Sequence, residues 1–167
     1  MSLINYLIYI YIYLMGGGGG ATHKASLSIG QFSHAATTAT TATQSVAFFG
    51  FGFPRTDNVD TFNGNNDLAR ARMIYQGNMR NRAGATNMTC GNDSYALFGG
   101  GTYFNSDTSL FQASNNVDIF KCNDNGVFYN DLLDFNGPAR RDLAATSVTC
   151  GNESYALFGG GMRNNTI

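Results

Sequence analysis

The feature that most constrains this chain is an internal repeat. Residues 86–101 read TNMTCGNDSYALFGGG and residues 146–161 read TSVTCGNESYALFGGG, so thirteen of sixteen positions are identical at a spacing of 60 residues. A weaker third copy, residues 34–52, aligns without a gap on residues 83–101. Repetition of this kind is typical of a fold built from similar units that pack on their neighbours.

Each copy predicts a β-hairpin. Its first half alternates small and β-branched residues, Ala and Thr, and suits a strand packed tightly near a shared axis. The turn then falls on Cys90-Gly91-Asn92-Asp93 and on the equivalent residues 150–153, which tolerate the conformations that a hairpin turn requires. The apolar sequence Ser-Tyr-Ala-Leu-Phe returns as the second strand.

Two further strands are expected after each hairpin. The sequence NVDTF at residues 58–62 recurs as NVDIF at residues 116–120 and predicts a third strand. The pair Asn125-Gly126 predicts a turn, and residues 127–129 predict a fourth strand. We therefore expect an all-β fold with four antiparallel strands per unit, as in the blade of a β-propeller.

Glycine clusters end the second strand of each copy. Glycine permits close approach of a neighbouring backbone or a positive φ, which a side chain would oppose. We expect this structural role for eight repeat glycines: Gly50, Gly52, Gly99, Gly100, Gly101, Gly159, Gly160 and Gly161.

The order of these segments resembles the Kelch-type repeat. Tyr-Ala-Leu-Phe-Gly-Gly matches that family's double glycine after an apolar strand, and Asn-Val-Asp-x-Phe is similar to its next strand. The resemblance covers about residues 30–161 and implies β-propeller blades that bind proteins or carbohydrates. Two departures make the chain resemble a degenerate relative of bacterial or phage type. Trp, frequent on the outer strand, is replaced at best by Phe128, and residues 50–52 read Gly-Phe-Gly.

The repeats also suggest the domain organisation. Residues 1–20 form an N-terminal apolar β-strand and a glycine linker, and residues 21–167 form the repeat region. Within it, the units lie near residues 34–82 and 83–142, with a partial unit at residues 143–161.

The apolar segment at residues 3–15, LINYLIYIYIYLM, is shorter than the roughly 20 residues that a membrane-spanning helix needs, so we expect no membrane span. Aliphatic residues alternate with tyrosines and predict a β-strand with two apolar faces. We expect this strand to pair within a unit or at a subunit contact. A signal-peptide core is the alternative interpretation, although no Lys or Arg precedes the segment.

The repeats amount to about three blades, whereas closed propellers typically have about four to eight. We therefore expect a chain that is incomplete as a monomer and forms a homo-oligomer, most simply a dimer with a ring of about six blades. A fragment of a larger ring, or an open array of units with exposed strand edges, is the alternative.

Charge restricts the partners. The formal net charge is −1 and only 13% of residues are charged, so the chain lacks the basic field that nucleic acids require. The resemblance implies a weakly basic ring near the ligand-entry face. The alternative is solvated loop charge balanced by residues such as Asp142. Four arginines are the candidate ligand-binding residues: Arg80, Arg82, Arg140 and Arg141.

Nothing in the sequence indicates catalysis, a metal or a cofactor. His23 and His34 lie together near the N-terminus, whereas the copper oxidases among Kelch proteins need clustered His and Tyr ligands beside a modified Cys. Asp131 and Asp134 fit an outer strand better than an acid–base pair. Three cysteines favour free thiols, but four Asn-x-Ser/Thr sequons favour secretion, so the localisation stays open.

We therefore expect a non-catalytic binding or assembly module that recognises a protein or carbohydrate partner. One alternative is a structural repeat protein of a surface or phage-tail-like assembly, in which association itself is the function. Another is a truncated open reading frame without a selected function.

Overall fold

The computed structural model describes residues 9–12, 23–26, 33–64 and 69–163. These residues form antiparallel β-sheets and contain no helix, so the expected all-β class is confirmed. None of the described residues belongs to a helix long and apolar enough to cross a membrane.

The strands, in chain order, are β1 (Tyr9–Ile12), β2 (His23–Ser26), β3 (Ala35–Thr40), β4 (Ser45–Gly50), β5 (Asn58–Asn63), β6 (Ala69–Ile74), β7 (Arg80–Asn81), β8 (Gly84–Cys90), β9 (Asp93–Gly99), β10 (Thr102–Asn105), β11 (Leu110–Ala113), β12 (Asn116–Asn123), β13 (Gly126–Asp134), β14 (Ala144–Cys150) and β15 (Glu153–Gly159).

The first two copies of the repeat each lie in a four-stranded sheet. The first unit has the strand order β3-β4-β5-β6, and the second unit has the order β13-β12-β9-β8. The three repeat hairpins share one register, because Ala35 pairs with Gly50, Gly84 with Gly99 and Ala144 with Gly159. The gapless alignment of the weak first copy on the second is therefore structurally correct.

The second unit also contains a hairpin that the repeat pattern did not predict. Strands β10 and β11 lie between β9 and β12 in sequence, and β10 pairs with the short β7 in a separate three-stranded sheet. This insertion contributes to the longer spacing between the second and third copies. The predicted turn at Asn125-Gly126 is shifted by one residue, since Asp124 and Asn125 form the turn and Gly126 begins β13.

The third copy forms a two-stranded sheet, β14–β15, which we call the terminal hairpin. It has no third or fourth strand in the described part of the chain. At the other end, β1 pairs with β2 in a sheet of their own rather than within either four-stranded sheet. The rest of the predicted N-terminal strand and the glycines at 16–20 lie outside the described residues.

Aromatic side chains join the first two units. The buried Phe48 and Phe98 both pack against Phe120, each with its ring centroid 5.8 Å away, and Phe51 stacks on Phe98 at 4.7 Å. Burial of each such ring contributes about 1.5–3 kcal/mol, so this cluster is a major source of stability.

The same polar contact recurs between successive units. The Thr40 amide donates to Ser94 Oγ at 3.1 Å, and the Thr89 amide donates to Ser154 Oγ at 3.4 Å. These residues occupy equivalent repeat positions. The Ala/Thr strand β8 also lies between β3 and β14. The first unit therefore packs on the second much as the second packs on the terminal hairpin.

Candidate functional site

Arg80, a candidate ligand-binding residue, lies in the interior of the protein. Its side chain is fully buried, and its guanidinium lies 2.5 Å from a carboxylate oxygen of Asp118, which is also fully buried. The Arg80 Nε–H donates to the Gly100 carbonyl oxygen at 2.6 Å, and Nη2 donates to the Phe98 carbonyl oxygen at 3.1 Å. Arg80 therefore ties β9 to β12 and has no access to a ligand in solution.

Other side chains stabilise this buried charge pair. The Tyr129 hydroxyl donates to Asp118 Oδ1 at 2.9 Å, and the Phe51 ring lies 4.8 Å from the Arg80 guanidinium. Burial, together with the negative charge of Asp118, raises the pKa of Tyr129. Burial also raises the pKa of Tyr75, whose hydroxyl accepts from the Arg80 amide, to about 12. Both phenols therefore stay protonated at neutral pH and can donate their hydrogen bonds.

Phe51 occupies the position of the first copy where the others have the middle glycine. Its φ is 58°, close to the 69° of Gly100 and the 72° of Gly160, so a bulky residue adopts the left-handed conformation there. Such a conformation costs about 1–3 kcal/mol. Stacking on Phe98 and on Tyr75 (4.4 Å) offsets that cost and explains why the glycine pattern can be broken.

Arg82 lies at a second recurring left-handed position. Ser33, Arg82 and Asp142 are equivalent in the three copies and have φ values of 54°, 62° and 57°. Arg82 binds Asp142 through two hydrogen bonds, of 2.6 and 2.5 Å. Arg82, Asp142 and His34 line an open cleft of about 530 Å³. The ion pair supports the alternative interpretation, in which Asp142 balances the charge of an arginine. Because the two side chains are 38% and 33% exposed, the pair adds little to stability.

Arg140 is the repeat equivalent of Arg80 but lies near the surface. Its Nη1 donates to the Gly160 carbonyl oxygen at 2.8 Å, just as Arg80 binds Gly100. Among the described residues, no carboxylate forms an ion pair with it. The neighbouring Arg141 pairs through its backbone with Met162, and its half-buried side chain lies beside the chain end.

The repeat glycines divide into crowded and open positions. A Cβ on Gly99 would lie 2.7 Å from the Phe158 ring, and one on Gly100 would lie 2.6 Å from the Arg140 carbonyl oxygen. The equivalent Gly159 and Gly160 have no described atom within 4 Å of such a Cβ. Close packing is therefore the reason for glycine at the first pair only.

Three of the remaining four repeat glycines also lie at close contacts. A Cβ on Gly50 would approach the Val59 side chain at 2.8 Å, and one on Gly101 would approach the Asn81 carbonyl oxygen at 2.6 Å. Gly161, with φ 71°, lies against the Arg141 carbonyl oxygen, and Gly52 is buried.

The apolar face of the repeat hairpin is also covered in the second unit and open in the terminal hairpin. In the second unit, Leu97 is 6% exposed and packs, with Val117 and Ile119, against Ala156 and Phe158 of the terminal hairpin. The equivalent face of the terminal hairpin is open. We call it the outer face, and its members are Val148, Tyr155 and Leu157, exposed by 47%, 47% and 48%.

The described residues contain no group of three or more His, Cys, Asp or Glu side chains placed to hold a metal ion. The three cysteines are free, Cys122 buried and the other two exposed. No protein-family model matches the chain, and a search of curated proteins finds no match.

The functional partner that sequence reasoning missed is Asp118. The repeated Asn-Val-Asp-x-Phe motif contained the signal, because an aspartate within an apolar strand must find a counter-charge when the strand is buried. The sequence predicted four arginines on one ligand-facing ring. The structure brings none of them together as such a ring: Arg80 is internal, Arg82 pairs with Asp142, and Arg140 and Arg141 lie beside the end of the terminal hairpin.

Proposed function

We propose that this chain is a non-catalytic assembly module of Kelch-like repeats, which binds another copy of itself through the outer face of the terminal hairpin. The observation that carries the proposal is the exposure of Leu157, whose equivalent Leu97 is buried between units. An exposed apolar surface that is buried in the preceding repeat is typical of an interaction site.

Several features support a propeller-like arrangement of the units. The first two units each have four antiparallel strands, and their Ala/Thr strands lie side by side with β14. The recurring Thr-to-Ser hydrogen bond indicates that one geometric step relates each unit to the next. A step repeated around an axis produces blades, and three blades or fewer are insufficient to close a ring.

The first unit offers the matching surface on a second copy. Ala47 and Phe49 are the repeat equivalents of Ala156 and Phe158, which cover the Leu97 face of the second unit. Both Ala47 and Phe49 are half-buried. A second copy that placed Phe49 beside Gly159 would reproduce the contact of Phe158 with Gly99. Two such contacts between two chains would close a head-to-tail dimer.

This surface favours a protein partner over a carbohydrate. Its three members are two aliphatic side chains and one tyrosine, whereas a sugar would require several polar groups directed at its hydroxyls. The Tyr155 hydroxyl is already hydrogen-bonded to Glu153, which raises the pKa of Tyr155.

Sedimentation and light scattering test this proposal. The wild-type chain should be a dimer or larger at about 10 μM, and Leu157→Glu should yield a folded monomer, because a carboxylate cannot be buried in the contact without a partner. Leu133→Glu is the matched control, since Leu133 is 51% exposed on β13 and lies outside the proposed contact. A wild-type chain that is monomeric at this concentration would rule the proposal out, as would equal dissociation by both variants.

A further inference from the structure

The edge of β15 differs from the edges of its counterparts. Strands β4 and β9 each pair on both sides, β4 with β3 and β5, and β9 with β8 and β12. In the described part of the chain, β15 pairs only with β14. The amides and carbonyls on its other side are free to bind a further extended strand.

In the second unit, β12 is the strand that pairs with the corresponding edge of β9. Strand β12 lies antiparallel to β9, with Val117 opposite Gly99, Asp118 opposite Phe98 and Ile119 opposite Leu97. This register places the Asp118 carboxylate on the Arg80 guanidinium at 2.5 Å. The strand therefore carries one acidic residue between apolar neighbours, and the acidic residue meets an arginine.

Arg140 is positioned beside β15 to form the same arginine–carboxylate contact. It follows the second unit as Arg80 follows the first, and its hydrogen bond to Gly160 repeats that of Arg80 to Gly100. The guanidinium is thus already held at the end of the free edge. No carboxylate among the described residues forms an ion pair with Arg140. By contrast, Arg82, two residues after Arg80, is paired with Asp142.

We propose that the free edge of β15 binds an extended segment of a partner polypeptide with the pattern Asn-Val-Asp-x-Phe, whose aspartate forms an ion pair with Arg140. The segment adds to the terminal hairpin as a third antiparallel strand, with its aspartate opposite Phe158. Main-chain hydrogen bonds provide affinity, and the Arg140–carboxylate pair selects the acidic residue and fixes the register.

This site is distinct from the self-association proposed above. It uses the edge of β15 and Arg140, whereas self-association uses the outer face and Leu157. The two can be tested separately, because Ala47→Glu disrupts the self-association contact on the first unit and leaves β15 unchanged.

A fluorescently labelled peptide with the sequence of residues 115–123, carrying Cys122→Ser, is a direct probe. Its binding to the full chain is measured by fluorescence anisotropy, in the wild type and in Ala47→Glu. We expect saturable binding in at least the Ala47→Glu chain, in which the loss of self-association leaves β15 accessible. We also expect increased protection of β15 amides from hydrogen exchange, without a change in the β4 amides, which are already paired.

The charge pair is tested by matched changes on both sides. Asp118→Asn in the peptide should raise Kd at least about tenfold, and Arg140→Gln in the protein should raise it similarly. When the two changes are combined, the loss should be no greater than either alone. Arg163→Gln, at an exposed arginine near the same chain end, should leave Kd unchanged.

Absence of binding to both chains at about 100 μM peptide would overturn the proposal. Equal binding of the Asp118→Asn peptide, which requires no change in the protein, would also overturn it. So would equal binding of a scrambled peptide of the same composition, since non-specific attraction to arginine needs no strand register.

Discussion

The second unit and the terminal hairpin have nearly the same sequence and very different surroundings. Residues 94–101 and 154–161 both read SYALFGGG, yet Leu97 is 6% exposed and Leu157 is 48% exposed. Arg80 is buried in an ion pair with Asp118, whereas Arg140 lies near the surface. The same residue therefore belongs to the core in one copy and to a binding surface in the next, according to what packs on it.

The largest expected difference concerns the paired arginines. Arg80→Met should lower the free energy of unfolding by about 3–5 kcal/mol, because it leaves Asp118 buried without its counter-charge. Arg140→Met should cost no more than about 0.5 kcal/mol, because it removes only solvent-exposed hydrogen bonds to the Gly160 and Gly161 carbonyl oxygens. Urea denaturation of the wild type and both variants measures these changes in the free energy of unfolding.

Combining Arg80→Met with Asp118→Leu provides the control for this result. Removal of both charges should recover much of the stability, because an apolar pair does not require desolvation of two ions. Similar losses for Arg80→Met and Arg140→Met would contradict the assignment of Arg80 to the interior.

The two leucines should differ by a smaller amount. Leu97→Ala should cost about 2–4 kcal/mol, because it leaves a cavity between β9, β12 and the terminal hairpin. Leu157→Ala should cost less than about 1 kcal/mol in the monomer. Thermal or urea unfolding at low protein concentration measures both. Dilution should widen this difference, because it dissociates the proposed dimer and exposes Leu157. A cost for Leu157→Ala equal to that of Leu97→Ala at low concentration would contradict the burial pattern.

The smallest effects, of opposite sign, are expected at the glycines. Gly99→Ala should destabilise by about 1–3 kcal/mol, because its Cβ would lie 2.7 Å from the Phe158 ring. In the monomeric Leu157→Glu background, Gly159→Ala should be neutral or stabilising by about 0.5 kcal/mol, because no described atom of the same chain opposes the new methyl group and the unfolded chain loses entropy. Differential scanning fluorimetry detects whether each substitution raises or lowers the melting temperature. If Gly159→Ala destabilised the protein and Gly99→Ala did not, the assignment of crowded and open positions would be wrong.

Much of the local fold could be predicted from the sequence. The repeat predicted the hairpins and their common register, since turn residues such as Gly91 and the alternation of the strands are local properties. The Asn-Val-Asp-x-Phe motif predicted the third strand in both complete units. The hairpin of β10 and β11 was not predicted, because it has no counterpart in the first unit.

The candidate site could be predicted only in part. The sequence identified Arg80 and Arg140 as equivalent, and their bonds to Gly100 and Gly160 show that they are. The resemblance to Kelch-type repeats implied a ligand-facing ring for both, and the sequence pattern alone left solvated loop charge as the alternative. Burial of Arg80 depends on Asp118, 38 residues away in sequence, and on the ring of Phe51 from the preceding unit.

The sequence by itself determined the strands, their turns and the order in which they recur, because alternation and turn chemistry act over a few residues. Only the tertiary structure decided which copy of each repeated residue is buried. Exposure depends on the neighbouring unit rather than on the residue itself. Gly99 meets the ring of Phe158, and Gly159, with the same sequence around it, meets no described atom.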